Sequence, residues 1–377
     1  MSKRSHSPPP SYGAGALIKK AKGTSPTPSN QIVISSSGDD RSKGLIRSVP
    51  RTSNLEAPIV SLAGAHSGEI LSCRFDPSGQ NIAACSGDRS VSLWRTYAPN
   101  TNYGLLSSHH KAPILDLQWS LRSPILYTVS ADHTLTFTDL TTGQKLKRIR
   151  AHREIINTLD RTMASGSGTE LLATGSDDGT VKVWAGGSDD PSSSDKQPIA
   201  TLDIGCPVTA VAWSQDGANL YIGAIDNEIH VYDLRKQQEV YSLGGHTDTP
   251  TSLALSPDGC FLLSPSLSSQ TIVHDVRPFS PSATRIHRTL LGAPAGFENT
   301  LLRGAWSKED GGRRVAVGGA DRAVCIWDVE SSRILYKLPG HKGTVTAVDF
   351  HPKEPIILTG SKDGTMLLGE IEPSIHV

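Results

Sequence analysis

Apolar and polar positions in this chain alternate in short paired runs, and the pair repeats. The clearest copy, Leu171 to Trp184, reads LLATGSDDGTVKVW. Leu171 to Thr174 is apolar with a β-branched end, and Asp178-Gly179 supplies a tight turn, since glycine reaches positive φ without steric cost. Val181, Val183 and Trp184 then rise again with Lys182 pointing the other way, as a half-buried strand requires. The pattern predicts a β-hairpin. A lone hairpin is marginal in water, so the other copies matter. They are CSGDRSVSLW ending at Trp94, VSADHTLTFT at Thr138, IGAIDNEIHVY at Tyr232, GGADRAVCIW at Trp327 and TGSKDGTMLLG at Gly369, with a degenerate PSLSSQTIVH ending at His274.

These end positions lie 44, 46, 48, 42, 53 and 42 residues apart. A period of roughly 40–45 residues is that of four-stranded propeller blades, the longer steps holding loop insertions. A second marker fixes the frame. His66, His110 and His341 each stand 22 residues before the turn aspartates Asp88, Asp132 and Asp363, and 28 before the end positions. His246 stands 28 before His274, and His152 stands 26 before Asp178, so the third repeat carries four extra residues, placed at 164–169. The fourth repeat has Ile204 in place of the histidine. Seven repeats predict an all-β, seven-bladed propeller over 55–377. Runs such as IATL, VYSL and ILYKL close each blade as its outer strand, but the last repeat lacks one and Pro58 to Leu62 has no preceding blade. Strand 58–62 is therefore expected to complete the last blade and close the ring, removing open edges.

The repeats resemble the WD-repeat (WD40) family, with GH near each repeat start and WD near its end. The pairs here are Gly245-His246, Gly340-His341 and Trp327-Asp328, with Tyr232-Asp233 and His274-Asp275 as variants.

Charge separates a tail from this body. Residues 1–54 hold six prolines and nine Lys/Arg against Asp39 and Asp40, a net +7, so the formally neutral chain leaves −7 on the remainder. Such a Pro/Ser-rich segment buries too little to offset its ordering entropy and is expected to be disordered. Lys3-Arg4 and Lys19-Lys20-Ala21-Lys22 read either as a split nuclear-import signal or as a solvated charged tail. No apolar run suits a membrane helix or secretory leader. Cys73, Cys85, Cys206, Cys260 and Cys325 form no CxxC pair and read as small buried hydrophobes, consistent with a reducing compartment.

The recurring His, Ser, Asp and Trp invite a catalytic-triad reading. Repetition argues against it: an enzyme needs one such site, and this set recurs in graded decay. No P-loop, HExxH or GxSxG pattern occurs. The resemblance implies instead a structural hydrogen-bond network in which indole, hydroxyl, imidazole and carboxylate satisfy one another. Its members here are His66, Ser86, Asp88 and Trp94; His110 and Asp132; His152, Ser176, Asp178 and Trp184; Asp226; His246; Asp321 and Trp327; and His341, Ser361 and Asp363. Neither catalysis, a metal nor a cofactor is expected. Function then falls on loops. Next to the markers stand the candidate partner contacts Ser67, Glu69, Arg89, Lys111, His133, Arg153, Asn227, Asp248, Arg322, Lys342 and Lys362.

A finer resemblance lies in LEAPIVSLAGAH (55–66), GSDDGTVKVW (175–184), HDVRPF (274–279), FENTLLRGAWS (297–307), RILYKLPGH (333–341) and HPKEPIIL (351–358). These are similar to the family of WD-repeat components of the U5 small nuclear ribonucleoprotein. That resemblance implies a nuclear, non-catalytic splicing scaffold, a monomer within a larger complex, docked on the large core scaffold protein beside a helicase and a GTPase. The acidic body would repel phosphate, so RNA contact is expected only indirectly, through the basic tail, or at Arg285 and Arg288. The departures are the 186–198 insertion, Thr138 for Trp, and the decayed fifth repeat at Ser268 and His274. A second reading comes from Tyr232-Asp233-Leu234-Arg235 and His274-Asp275-Val276-Arg277, which approximate the WDxR motif of substrate receptors for cullin-RING ubiquitin ligases. The alternative there is that Arg235 and Arg277 make local salt bridges.

Overall fold

The structure, a computed structural model, describes residues 51, 53–164, 166, 168–187 and 197–372. The expectations for residues 1–50 and most of the 186–198 insertion fall outside them. From Thr52 onward the chain is one compact unit. Among the described residues it holds 28 strands in seven four-stranded antiparallel sheets.

The strands run β1 (Ile59–Leu62), then β2 (Ile70–Phe75) to β5 (Asn102–Leu106) in blade 1, β6 (Ile114–Trp119) to β9 (Lys145–Arg150) in blade 2, and β10 (Ile156–Met163) to β13 (Ala200–Asp203) in blade 3. Blade 4 spans β14 (Val208–Trp213) to β17 (Gln238–Leu243), blade 5 β18 (Ala254–Leu255) to β21 (Ile286–Leu291), and blade 6 β22 (Gly304–Trp306) to β25 (Arg333–Pro339). Blade 7 contains β26 (Val345–Phe350), β27 (Ile356–Ser361) and β28 (Met366–Glu370), and β1 is its outer strand: Ile59 pairs with Gly369 and Leu62 with Met366. The Glu370 N–H extends this pairing by donating to the Pro58 carbonyl at 2.8 Å.

All seven end markers sit in one register. Trp94 faces Ile82, Thr138 faces Leu126, Trp184 faces Leu172, Tyr232 faces Leu220, His274 faces Leu262, Trp327 faces Val315 and Gly369 faces Ile357. The residue after each turn aspartate, or its substitute Ser268, is left-handed. Gly179 and Gly364 hold it at φ 78°, while Arg89, His133, Asn227, Ser269 and Arg322 lie between 64° and 71°. An L side chain there costs about 1–2 kcal/mol, a strain accepted at five of seven turns.

The core lies between blades rather than within them. Ala173, Val181 and Val183 of blade 3 pack on Val208, Val211 and Trp213 of blade 4, and each neighbouring pair has its own such cluster. The one between blades 7 and 1 joins Ile356, Leu358 and Leu368 to Ile70, Phe75 and Ile82. Each buried Leu, Ile or Val contributes about 1.5–3 kcal/mol, so every blade depends on both neighbours. The boundary between tail and propeller shifts slightly toward the N-terminus. Ser53 N–H donates to Glu370 Oε1 (3.1 Å), Asn54 N–H and Nδ2 bind the Glu354 carboxylate, and Leu55 is buried. These contacts reach glutamates 300 and 317 residues along the chain, so the local composition up to 54 could not show them.

Inner strands β2, β6, β10, β14 and β26 share a bulge at one position, after Ile70, Ile114, Ile156, Val208 and Val345. A bulge leaves its extra residue outside the ladder. Three of the freed carbonyls, on Leu71, Leu115 and Asn157, accept hydrogen bonds from one guanidinium, Arg303, which crosses the central channel from blade 6. Its Nη1 also meets Asp116 Oδ2 at 2.8 Å. Arg303 lines both a 260 Å³ cavity on one side and a 560 Å³ cavity on the other, so it is the plug between them.

Candidate functional site

In blade 3, His152 is the hub. Its Nδ1 meets Asp178 at 3.0 Å and its Nε2 meets Thr174 Oγ1 at 2.8 Å, while the Trp184 indole N–H donates to the same hydroxyl at 3.0 Å. Blade 1 builds the same chain from His66, Asp88, Ser92 and Trp94. In blade 2, His110 joins Asp132 to Thr128, and Thr138 meets His109 instead of supplying an indole. Blade 7 joins His341 to Asp363 and Thr359.

One expectation is corrected. Ser86, Ser176 and Ser361 do not bridge histidine to tryptophan. Each accepts the backbone N–H of its turn aspartate at 3.2 Å. The hydroxyl that meets the histidine Nε2 lies two residues earlier, at Thr174 and Thr359, as Thr128 does in blade 2, and of these Thr174 alone also takes a tryptophan indole. In blade 1, Ala84 holds that place and Ser92 on the next strand substitutes. Residues two apart share a strand face, so alternation alone could not choose between them.

The remaining blades keep less. Asp226 lacks a marker histidine and pairs with His230 at 2.9 Å. Asp321 pairs with Lys337 at 2.7 Å, and the Trp327 indole donates to the Leu291 carbonyl. His246 reaches Ser264 only. Burial outweighs the Asp178 charge and lowers the His152 pKa to about 4. Burial pushes Asp178 upward, but Thr180, the Arg153 N–H and His152 more than offset it, leaving about 2. The His152 ring is thus neutral and fully engaged near neutral pH, which suits tying strands to loops.

The candidate partner contacts gather on the face that carries the marker loops. The backbone N–H groups of Ser67, Lys111, Arg153 and Lys342 donate to Asp88, Asp132, Asp178 and Asp363 at 2.7–3.0 Å. Their side chains are exposed, as are Arg89 and Arg322. Others are partly spent internally: the His133 ring holds the Arg153 carbonyl, Asp248 accepts the Thr249 N–H, and Asn227 is half-buried. Lys362 binds Glu298 at 2.6 Å and approaches Glu69 at 3.8 Å across the mouth of the smaller cavity.

Sequence reasoning missed Phe297. Its side chain is wholly exposed. The loop 292–300 spans three blade turns: Ala295 N–H donates to Ser269 Oγ, Ala320 N–H to the Pro294 carbonyl, and Glu298 takes Lys362. An aromatic in an irregular insertion carries no periodic signal. On the opposite face, Arg277 grips Asp275 with two hydrogen bonds (2.9 and 2.6 Å), whereas Arg235 is exposed. Arg285 binds the carbonyls of Asp275 and Arg277, and Arg288 that of Glu330, so both are tied locally.

Comparison with known proteins adds a lineage. The WD domain, G-beta repeat model matches residues 57–95, 237–275 and 332–368, and the Nucleolar protein 10-like N-terminal domain model matches 112–254. The chain is 38% identical over 360 residues to the U5 small nuclear ribonucleoprotein 40 kDa protein of Dictyostelium discoideum, covering 95% of this chain and 97% of that one. It is 41% identical over 321 residues to the pre-mRNA-splicing factor cwf17 of Schizosaccharomyces pombe (85% and 90%). It is 39% identical over 323 residues to the Homo sapiens U5 small nuclear ribonucleoprotein 40 kDa protein (86% of each).

Proposed function

Because the chain belongs to the family of the U5 small nuclear ribonucleoprotein 40 kDa protein, we propose that it is a non-catalytic scaffold subunit of the U5 particle in nuclear pre-mRNA splicing. It docks through the marker face on the large core splicing scaffold protein, in the neighbourhood of the particle's helicase and GTPase. The observation that carries the docking face is Phe297, an exposed aromatic held by the turns of blades 5, 6 and 7. Arg322 and Lys342 stand on the turn and loop of blades 6 and 7. Aromatic anchors ringed by arginine are what interfaces select.

The test is purification of the tagged full chain from nuclear extract, with sequencing of the RNA and identification of the proteins recovered. U5 RNA together with the large scaffold is the expected result. Recovery of a cullin adaptor without spliceosomal RNA would overturn it and favour the WDxR reading at Arg235 and Arg277.

A further inference from the structure

The 560 Å³ cavity below the Arg303 plug opens on the face opposite the markers. Its wall holds three buried N–H donors with no acceptor: Arg74 Nε, Arg161 Nε and Trp213 Nε1. Buried donors are almost always paired. The two other inner-strand indoles at this level are. Trp119 donates to the Arg74 carbonyl at 3.2 Å and Trp306 to the Ala254 carbonyl at 2.8 Å, each on the preceding blade. Trp213, only 3% exposed, makes no such bond.

The acceptors nearby are already occupied. Asp160 takes the Trp213 backbone N–H at 2.8 Å and Gln118 Nε2 at 3.2 Å. Asp349 takes the backbone N–H groups of Phe75 and Phe350, and Lys308. Asp116 serves Ser72, Leu117, Leu159 and Arg303, and Arg74 comes no closer to it than 3.8 Å. Arg74, Arg161, Arg303 and Lys308 set four positive charges in the wall against the carboxylates of Asp160 and Asp349 there and of Asp116 behind Arg303, an excess of one.

We propose that this cavity binds a carboxylate, that of the C-terminal chain end of a peptide entering from the face opposite the markers. The unpaired indole and guanidinium N–H groups supply its donors, and the excess of cations supplies the field. The volume falls in the range of ligand pockets. Arg303 bars passage, so an occupant ends here instead of threading the ring. Asp160 and Asp349 in the same wall disfavour a multiply charged phosphate and favour a single negative charge.

The test is NMR of the full chain, reading the Trp213 indole N–H (assigned with Trp213→Phe) during titration with acetate, a short uncharged peptide ending in a free alanine carboxylate, the same peptide amidated, and pyrophosphate. The expected result is a saturable shift of the Trp213 resonance with acetate and the free-acid peptide, with the Trp119 and Trp306 indoles unmoved. Arg161→Gln should weaken it tenfold or more, its indole spectrum otherwise reporting an intact fold. Tighter binding of pyrophosphate than of either carboxylate, equal binding of the amidated peptide, or no saturable shift with any probe overturns the proposal; the last would leave the donors to water.

Discussion

Blades 3 and 5 have the same strand register and very different interiors. In blade 3 every polar group of the His152 hub has a partner. In blade 5, Ser268 stands for the turn aspartate and His274 for the tryptophan. His246 keeps Ser264 at 2.6 Å, but its Nδ1 has no partner. His274 is wholly buried with both nitrogens unpaired, its ring edge-on to His246 at 5.7 Å. Yet His274 faces Leu262 just as Trp184 faces Leu172. Apolar alternation and turn geometry therefore set the sheet, and the network only adds to a blade already clamped by its neighbours.

The comparison breaks most sharply at the markers themselves. Trp184→Ala should cost about 3–5 kcal/mol, because it opens a cavity between blades 2 and 3 and strips Thr174 of its donor. His274→Phe should be neutral or raise stability by about 1 kcal/mol, since it removes two unpaired buried nitrogens. Thermal unfolding of the full chain checks both.

Acid should act next, and chiefly through buried histidines. Burial lowers His246 to about 4, and burial together with the neighbouring His246 lowers His274 to about 3. The folded chain keeps these rings neutral where the unfolded chain, with pKa about 6.5, protonates them. Their contribution is thus complete above about pH 6.5 and is lost as pH falls toward those values. Tm should drop between pH 6.5 and 4, and His274→Phe should flatten that drop. An equal slope in the variant would show that other groups dominate.

Thr174→Val leaves both the His152 Nε2 and the Trp184 indole unpaired and should cost about 2 kcal/mol. Ser264→Ala strands His246 alone and should cost about half as much. Urea midpoints distinguish them. The smallest effect lies in the left-handed turns. Arg89→Gly should stabilise by about 1 kcal/mol, whereas Ser269→Gly should be nearly neutral, because Ser269 Oγ also holds the Ala295 N–H.

The blade order and register were readable because they are local. Turn aspartates, left-handed successors and apolar alternation all fall within about 30 residues of one another, and a one-residue slip would turn every apolar side chain outward. Chemistry that crosses the ring left no such trace. Arg303 reads as one arginine in LLRGAW, yet its partner Asp116 lies 187 residues away. Nor does sequence place Phe297 above three turns, since loop 292–300 has no repeat counterpart. The hydroxyls that meet the marker histidine in blades 3 and 7 were misassigned by two positions, a distance that alternation cannot resolve.

The central claim is that the repeated His–Asp groups have a purely stabilising role, added to blades already clamped by their neighbours, while the marker face is the proposed docking surface. Two variants purified side by side from nuclear extract test it. Phe297→Asp should lose U5 RNA recovery with Tm unchanged, and Thr174→Val should lower Tm while recovering as much U5 RNA in the cold as the unmodified chain. Full recovery by Phe297→Asp, with loss in the still-folded Thr174→Val protein, would contradict the account.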